Sequence, residues 1–425
     1  MTVLSRFEVR QRYAVVRARA LWDQRSTAVR RVLAAYVVTR LITFIVIYLS
    51  MATIPVRYGV DRFNYISSTN VILDGLVRWD SWQFLDIVTH GYKLGDLATN
   101  QLGSVDWFPG YPFAIKIVAS FVGHVALTGV IISNIALLVA LFYLYGLVRL
   151  EFDEDTAGRA VFYFASAPAA VFFSALYSES LFMAAVLASF YYAVKRGWLG
   201  AAIAGAIASA TRNTGVFLVL AIALEGLRQQ HLLRGDDRLR IGDTALIVRR
   251  VVSDIVAAWR SMLAAIVAGG GLVAYMVFLS VRFGDPLAFY DRATLSGRAK
   301  PGVHPLALFV NMYRELQIGP AVGNGQINTG LLLDTISLFA FVVLIVVAVR
   351  TLRVSYSVYA ILTLLTPLTT DTVFSMTRYS LMIFPGFVVL ARWGQRRGVD
   401  RVLTVLLSAL MAYVAVTFSH GYLPI

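Results

Sequence analysis

Apolar runs recur along this chain, each ended by a polar or turn-prone segment. They occupy 33–54, 129–148, 159–176, 178–195, 198–211, 213–225, 262–283, 331–349, 354–370, 377–393 and 402–419. A helix needs about 20 apolar residues to cross the hydrocarbon core, and tilt or packing accommodates somewhat fewer or more. The pattern therefore predicts eleven crossings. A twelfth run, 113–122, is shorter and follows WFPGYPF, in which Pro109 and Pro112 flank Gly110. Broken backbone of that kind at membrane depth reads as a half-span or re-entrant piece.

Charge orients the pattern. Residues 1–31 hold eight Arg against Glu8 and Asp23, with Leu4, Phe7, Tyr13, Val16 and Leu21 interspersed. Two readings stand: a basic amphipathic helix on an anionic leaflet, or a cytoplasmic retention signal by charge alone. The first apolar run begins after these arginines and is long enough to span, so it reads as a retained anchor. With the N-terminus cytoplasmic, alternate counting places 149–158, 195–196, 226–261, 350–353 and 392–401 on the same side. Treating 113–122 as a full span would put the seven arginines from Arg228 to Arg260 outside, against the positive-inside rule. The opposite side receives two long extracytoplasmic loops, 55–107 and 284–330, and the motifs RWDSW, YSES, RNTG and the 370–379 segment. The domain reading is a basic cytoplasmic segment, 1–32, followed by a single transmembrane domain, 33–425, with a cytoplasmic loop at 226–261. No internal repeat of a transporter kind and no low-complexity tract interrupts it.

Composition supports this and removes other classes. The 425 residues are 58% hydrophobic and 15% charged, whereas charged residues make up about a quarter of soluble domains. The net charge of +14 does not point to nucleic acid, because 34 of the 38 basic residues are Arg and cluster between apolar runs; that distribution is topological. The absence of cysteine excludes disulfides, zinc thiolate sites and cysteine nucleophiles. Asp153, Glu154 and Asp155 form an acidic triplet on the arginine-rich side, where it reads as a solvated loop capping the next helix. His90, His124, His231, His304 and His420 have no metal-ligand spacing. Neither a metal nor another cofactor is expected.

The chemistry gathers on the extracytoplasmic side. Asp80 lies in RWDSWQFLDIVTHGY between Trp79 and Trp82, with Arg78 as its one adjacent counter-ion. It is the candidate general base; the alternative is an N-cap for the helix that follows. Asp86 faces elsewhere on that helix and reads as structural. Glu179 in YSES is either functional or a capping box with Ser178. Arg212 and Arg378 are candidate phosphate partners, or arginines that snorkel or pair with Glu179. In the second loop Asp285, Asp291, Arg292, Arg298, Lys300 and His304 suit a lid over an anionic headgroup, though a solvated loop has the same composition.

Taken in order, RWDSWQFLDIVTHGY, WFPGYPF, APAAVFFSALYSESLF, ATRNTG, FGDPLAFYDR and TRYSLMIFPGF resemble the PIG-V family of GT-C membrane mannosyltransferases, related to the enzyme adding the second mannose of glycosylphosphatidylinositol anchors. The likeness covers about 75–393, and Ala167 departs mildly from a position where the family often has serine. The resemblance implies a GT-C-like fold of about eleven to twelve transmembrane helices. It implies a polyprenyl- or dolichyl-phosphate-mannose donor, a glycolipid or lipid-anchored glycan acceptor, and inversion to an α-linkage on the extracytoplasmic face, without a metal. By similarity Asp80 is the base, and Glu179, Arg212, Arg378, Lys300, His304, Arg78 and Trp79 are the candidates for binding donor phosphate or acceptor. The high Arg usage adds an expectation of a bacterial plasma-membrane protein. Two rivals remain: a transporter or flippase of a lipid-linked sugar, which would carry buried charge near the midplane and inverted repeats, and a non-catalytic subunit of a glycosylation complex.

Overall fold

The computed structural model describes residues 3–55, 70–95, 103–230, 256–295, 328–369 and 373–421. Among them the secondary structure is helical throughout. The first half comprises α1 (Val3–Thr53), α2 (Val71–Leu76), α3 (Ser81–His90), α4 (Gly110–Val122), α5 (Val125–Arg149), α6 (Glu154–Ala165), α7 (Glu179–Val194), α8 (Trp198–Thr211) and α9 (Phe217–Gln229). The second half comprises α10 (Trp259–Ala268), α11 (Gly270–Phe283), α12 (Ala288–Leu295), α13 (Thr329–Thr351), α14 (Val354–Leu365), α15 (Met376–Tyr379), α16 (Phe384–Trp393) and α17 (Arg397–Ser419). Every predicted apolar run carries helix. The N-terminal segment is helical from Val3; the side chains before Ser26, on which the amphipathic reading depends, are not described.

Among the described residues, five segments are long and apolar enough to cross a membrane: Ser26–Thr53, Val125–Arg149, Trp259–Phe283, Thr329–Thr351 and Arg397–Ser419. Five more apolar helices are shorter, among them α4, α7 and α8. The protein is thus an all-α membrane protein. Its lipid-facing character shows in apolar side chains left outside, such as Phe121 at 86% and Val281 at 84% exposure; in lipid such a surface needs no cover. Helix α4 has 13 residues, about 20 Å at 1.5 Å per residue; α8, α9, α14 and α16 are of similar or shorter length, so length does not set α4 apart from them.

The bundle is built by pairing. Helix α5 packs on α7, α7 on α8, α8 on α10 and α11, α9 on α10 and α14, α6 on α16, and α1 on α17. Helices α8 and α11 approach so closely that a Cβ on Gly271 would lie 2.1 Å from the Ala206 carbonyl oxygen. Helix starts use local acceptors: Asn70 takes the Leu73 N–H at 3.0 Å, Asn328 the Leu331 N–H at 3.0 Å, and Asp153 the Thr156 N–H at 2.7 Å. Asp153 therefore caps α6, while Glu154 and Asp155 lie in its first turn and pair with Arg149 and Arg31.

Several apolar runs are not continuous α-helices. The 377–393 run breaks between α15 and α16, where Pro385, which lacks an N–H, sits in the first turn of α16. Gly269 separates α10 from α11. The 159–176 run is the most consequential: α6 stops at Ala165, before Pro168, and a 3₁₀ turn covers Ala170–Phe173. A helix end inside a membrane protein leaves carbonyl oxygens that neither water nor lipid can satisfy. Arg40 of α1, only 3% exposed, fills that need by donating to the carbonyls of Ala165 at 2.7 Å and Ala170 at 3.0 Å and to Ser174 Oγ at 2.8 Å. Arg40→Leu leaves these acceptors unpaired, each costing about 1–3 kcal/mol. Detergent-purified variant protein is expected to melt well below wild type; an unchanged melting temperature would show that the break does not need the arginine.

Candidate active site

The RWD stretch is a turn, not a continuation of α2. Trp79 adopts φ +55°, a left-handed conformation uncommon for an aromatic residue and worth about 1–3 kcal/mol of strain. Its two flanks explain how it is held. Arg78 points into the core with no exposed surface, donating Nη2 to Asp74 Oδ2 at 2.8 Å, Nε to the Ser419 carbonyl at 2.9 Å and Nη1 to the Val77 carbonyl at 3.2 Å. The Tyr177 hydroxyl donates to the Arg78 carbonyl at 3.0 Å and accepts the Asp80 N–H at 3.1 Å. Burial first, and then the Asp80 charge, raise the Tyr177 phenol well above its ordinary pKa, so it remains an O–H donor.

The turn sends Arg78 and Asp80 in different directions. The sequence expectation that Arg78 is the counter-ion of Asp80 is corrected here: Arg78 pairs with Asp74, and Asp80 pairs with Arg378, 298 positions away, at 2.9 Å. Asp80 precedes α3 but its side chain makes no capping hydrogen bond, which removes the N-cap reading. Ser178 precedes α7 and likewise makes none, which removes the capping-box reading of Glu179.

Glu179 is the hub. It sits at the N-terminus of α7 with its side chain wholly buried, where the helix dipole favours negative charge. Its Oε1 accepts Arg378 Nε at 2.5 Å and Arg212 Nη1 at 2.8 Å; Arg212 also reaches Ser178 Oγ at 3.2 Å. The result is a chain of alternating charge, Asp80–Arg378–Glu179–Arg212. Exposure rises toward its ends, from 0% at Glu179 to 10% at Arg378, 14% at Arg212 and 27% at Asp80. The Arg378 guanidinium lies over Tyr177 at 4.6 Å and Phe172 at 5.1 Å, and Arg212 lies 5.9 Å from the Tyr379 ring; both contacts favour a partly desolvated cation. Asp80 Oδ1 has no partner among the described residues.

The surroundings fix each member. Arg212 ends α8 against a tight crossing, where a Cβ on Gly110 would stand 2.5 Å from Thr211 Oγ1. Arg378 follows a turn, Ser375 to Thr377, whose N–H groups are received by Asp334 of α13. Four of the residues read from the sequence, Asp80, Glu179, Arg212 and Arg378, are thus brought together, and Trp79 shapes the turn before Asp80. Arg78 is not brought to the cluster, and Lys300, His304 and Arg298 lie outside the described residues. Asp86 belongs to a separate surface group with His90 at 2.8 Å and Lys93 at 2.9 Å. Tyr177 and Asp334 were missed; the signal for Asp334 was an acid within an apolar run.

The fold and this cluster define a helical membrane protein in which a buried glutamate holds two arginines, one of them beside a part-exposed aspartate. The family described as Mannosyltransferase (PIG-V) matches residues 29–223, a segment that contains Asp80, Glu179 and Arg212, and the resemblance read from the motifs is borne out there. A rat protein, GPI alpha-1,6-mannosyltransferase 2, is 29% identical over 160 residues, which cover 35% of this chain and 31% of the relative. The chain therefore aligns with about a third of that protein's length. Among solved structures, an oligosaccharyltransferase of Archaeoglobus fulgidus in its apo form is similar with a TM-score of 0.44 and 13% identity, over 92% of this chain and 56% of that one. A second structure of the same enzyme, with zinc and sulfate, gives 0.39 and 13%, over 91% and 52%.

Removing the hub tests the architecture. Glu179→Gln leaves two arginines sharing one neutral oxygen in a dry site, and loss of a buried ion-pair partner typically costs about 3–5 kcal/mol. A large fall in thermal stability is expected in detergent, with Glu179→Asp intermediate. Equal stability of all three proteins would show that the cluster does not hold the bundle together.

Proposed function

We propose that the protein is a polyprenyl-phosphate-mannose-dependent mannosyltransferase that adds an α-mannose to a membrane glycolipid or envelope glycan on the extracytoplasmic face of a bacterial plasma membrane. The observation that carries the reading is the Asp80 carboxylate: Oδ2 is held 2.9 Å from Arg378, while Oδ1 has no partner among the described residues. One oxygen orients the group and the other is open to accept a proton.

The transfer follows from that geometry. Asp80 Oδ1 accepts the proton of the acceptor hydroxyl as its oxygen attacks the anomeric carbon. The bond from that carbon to the phosphate oxygen breaks, and its electron pair leaves on the polyprenyl phosphate. Attack opposite the leaving group inverts the anomeric centre. Charge developing on the phosphate needs oriented donors in a water-poor site, and Arg378 Nη2 and Arg212 Nε and Nη2, which have no partners among the described residues, are those donors. Glu179 is an anion and acts through the arginines it fixes, not by touching phosphate. Trp79, Lys300 and His304 are carried as acceptor or donor contacts on the motif resemblance alone. The orientation, with segment 1–32 and the 226–261 loop cytoplasmic, belongs to the same proposal.

The test is transfer of labelled mannose from polyprenyl-phosphate mannose to extracted membrane glycolipids by purified protein. Asp80→Asn, with melting unchanged, is expected to lose about 10²–10⁴-fold in turnover, and mass analysis of the product identifies the acceptor. Full activity in Asp80→Asn moves the base elsewhere. No transfer by wild type, together with movement of the lipid-linked sugar across vesicles, would establish a transporter instead.

A further inference from the structure

We infer that Asp334 is a positioning residue for Arg378: its carboxylate locks the turn before Arg378 into the one conformation that delivers the guanidinium to Asp80 and Glu179. The inference rests on the proposed function for what Arg378 does, and on geometry for how it is held.

Asp334 lies in the spanning helix α13 at 5% exposure. It sits in the second turn of α13, and a buried acid in an apolar helix is costly unless its oxygens are hydrogen-bonded. Its two oxygens are divided between two backbone N–H groups of the same turn, Oδ2 taking Ser375 at 2.9 Å and Oδ1 taking Thr377 at 2.8 Å. One turn further along α13, Ser337 Oγ meets Thr377 Oγ1 at 3.1 Å, so a single helix face grips the turn at three points.

The turn itself is unusual. Ser375 has φ +64°, a left-handed conformation that an L side chain disfavours. Alternating handedness at this point directs nearby N–H groups toward the same side, which creates a small anion-binding concavity; Asp334 fills it from inside the protein. Arg378 comes directly after Thr377, so relaxation of Ser375 to an ordinary φ would swing the chain and withdraw the guanidinium from both carboxylates. The ion pairs hold the Arg378 guanidinium but reach its backbone only through a flexible side chain, so the conformation of the turn itself is set by Asp334. Asp334 therefore acts on the turn, one step removed from substrate.

Three variants separate positioning from bulk stability: Asp334→Asn, Ser375→Gly and the two combined. Asn keeps the size of Asp but cannot receive both N–H groups with a charge. A misplacement of about 1 Å costs about 100-fold in rate, so Asp334→Asn is expected to lower kcat about 100-fold with the donor KM changed little. Backbone hydrogen exchange should rise over 373–379 and not elsewhere. Glycine adopts the left-handed conformation without strain, so Ser375→Gly added to Asp334→Asn should restore about 10-fold of the lost rate. Asp334→Asn with wild-type kcat would overturn the inference. So would a loss accompanied by faster exchange throughout the bundle and no rescue by glycine, which would mark Asp334 as a general stabiliser. If wild type transfers no mannose, the function fails separately; exchange at 373–379 then decides alone, faster exchange confined there supporting the inference and unchanged exchange overturning it.

Discussion

A single carboxylate oxygen receiving two arginines is the constraint on which the site depends. Glu179 Oε1 bonds Arg378 and Arg212 in a place that water does not reach. Each charge there would be expensive alone, and none can be removed without stranding another. Because the three residues come from α7, the end of α8 and the short helix α15, satisfying the charges brings three separate parts of the chain to one point. Asp80 joins through Arg378 and is the member most open to solvent. The electrostatics thus serve the fold and the chemistry together: the burial that rigidifies Glu179 also fixes the cation beside the exposed acid.

The same physics recurs wherever a helix stops within the bundle. Arg40 donates to the carbonyls left by the break after α6, Tyr177 bridges the turn between α2 and α3, and Asp334 receives N–H groups at the start of α15. Each is a polar side chain from elsewhere in the chain meeting backbone groups that no helix satisfies. Two of these three breaks contain a residue with positive φ, Trp79 and Ser375, and both lie within three residues of a charged member of the site. At these two breaks the irregular backbone aims a side chain of the site across the bundle.

This division explains what was legible in the sequence. Runs of apolar residues long enough to span are a strong signal, and helix was found in each. Breaks within such runs were not legible, because hydropathy averages over Ser166 to Pro168 and over Ile383 to Pro385 as though the helix continued. Asp80, Glu179, Arg212 and Arg378 stood out as isolated charges in polar gaps. Their pairing did not, since Arg378 is 298 positions from Asp80 and no local spacing encodes that contact. Proximity misled at Arg78, two residues from Asp80, because a left-handed tryptophan lies between them. Asp334 was hidden for the opposite reason: one acid in the strongly apolar segment 331–349 barely alters its average, although a lone charge in a span is the more informative observation.

Charge balance bears on how such a site would turn over. Asp80 and Glu179 are matched by Arg212 and Arg378, so the four-residue chain is neutral as it stands. A glycosyl phosphodiester brings one negative charge, whereas the polyprenyl phosphate released by transfer carries about −1.5 to −2 near neutral pH. A pocket with two unneutralised arginines would bind that product more tightly than the donor and would be slow to release it. With each arginine already paired to a carboxylate, the site offers directed N–H groups without a large net field. Those groups strengthen most where charge develops on the bridging oxygen, in the transition state. In the proposed step, proton transfer to Asp80 would weaken its hold on Arg378 and free that guanidinium to follow the phosphate as the leaving charge appears. The paired resting state is in this sense part of the proposed chemistry: it limits attraction to the product while keeping both the acid and the cation oriented for the step between.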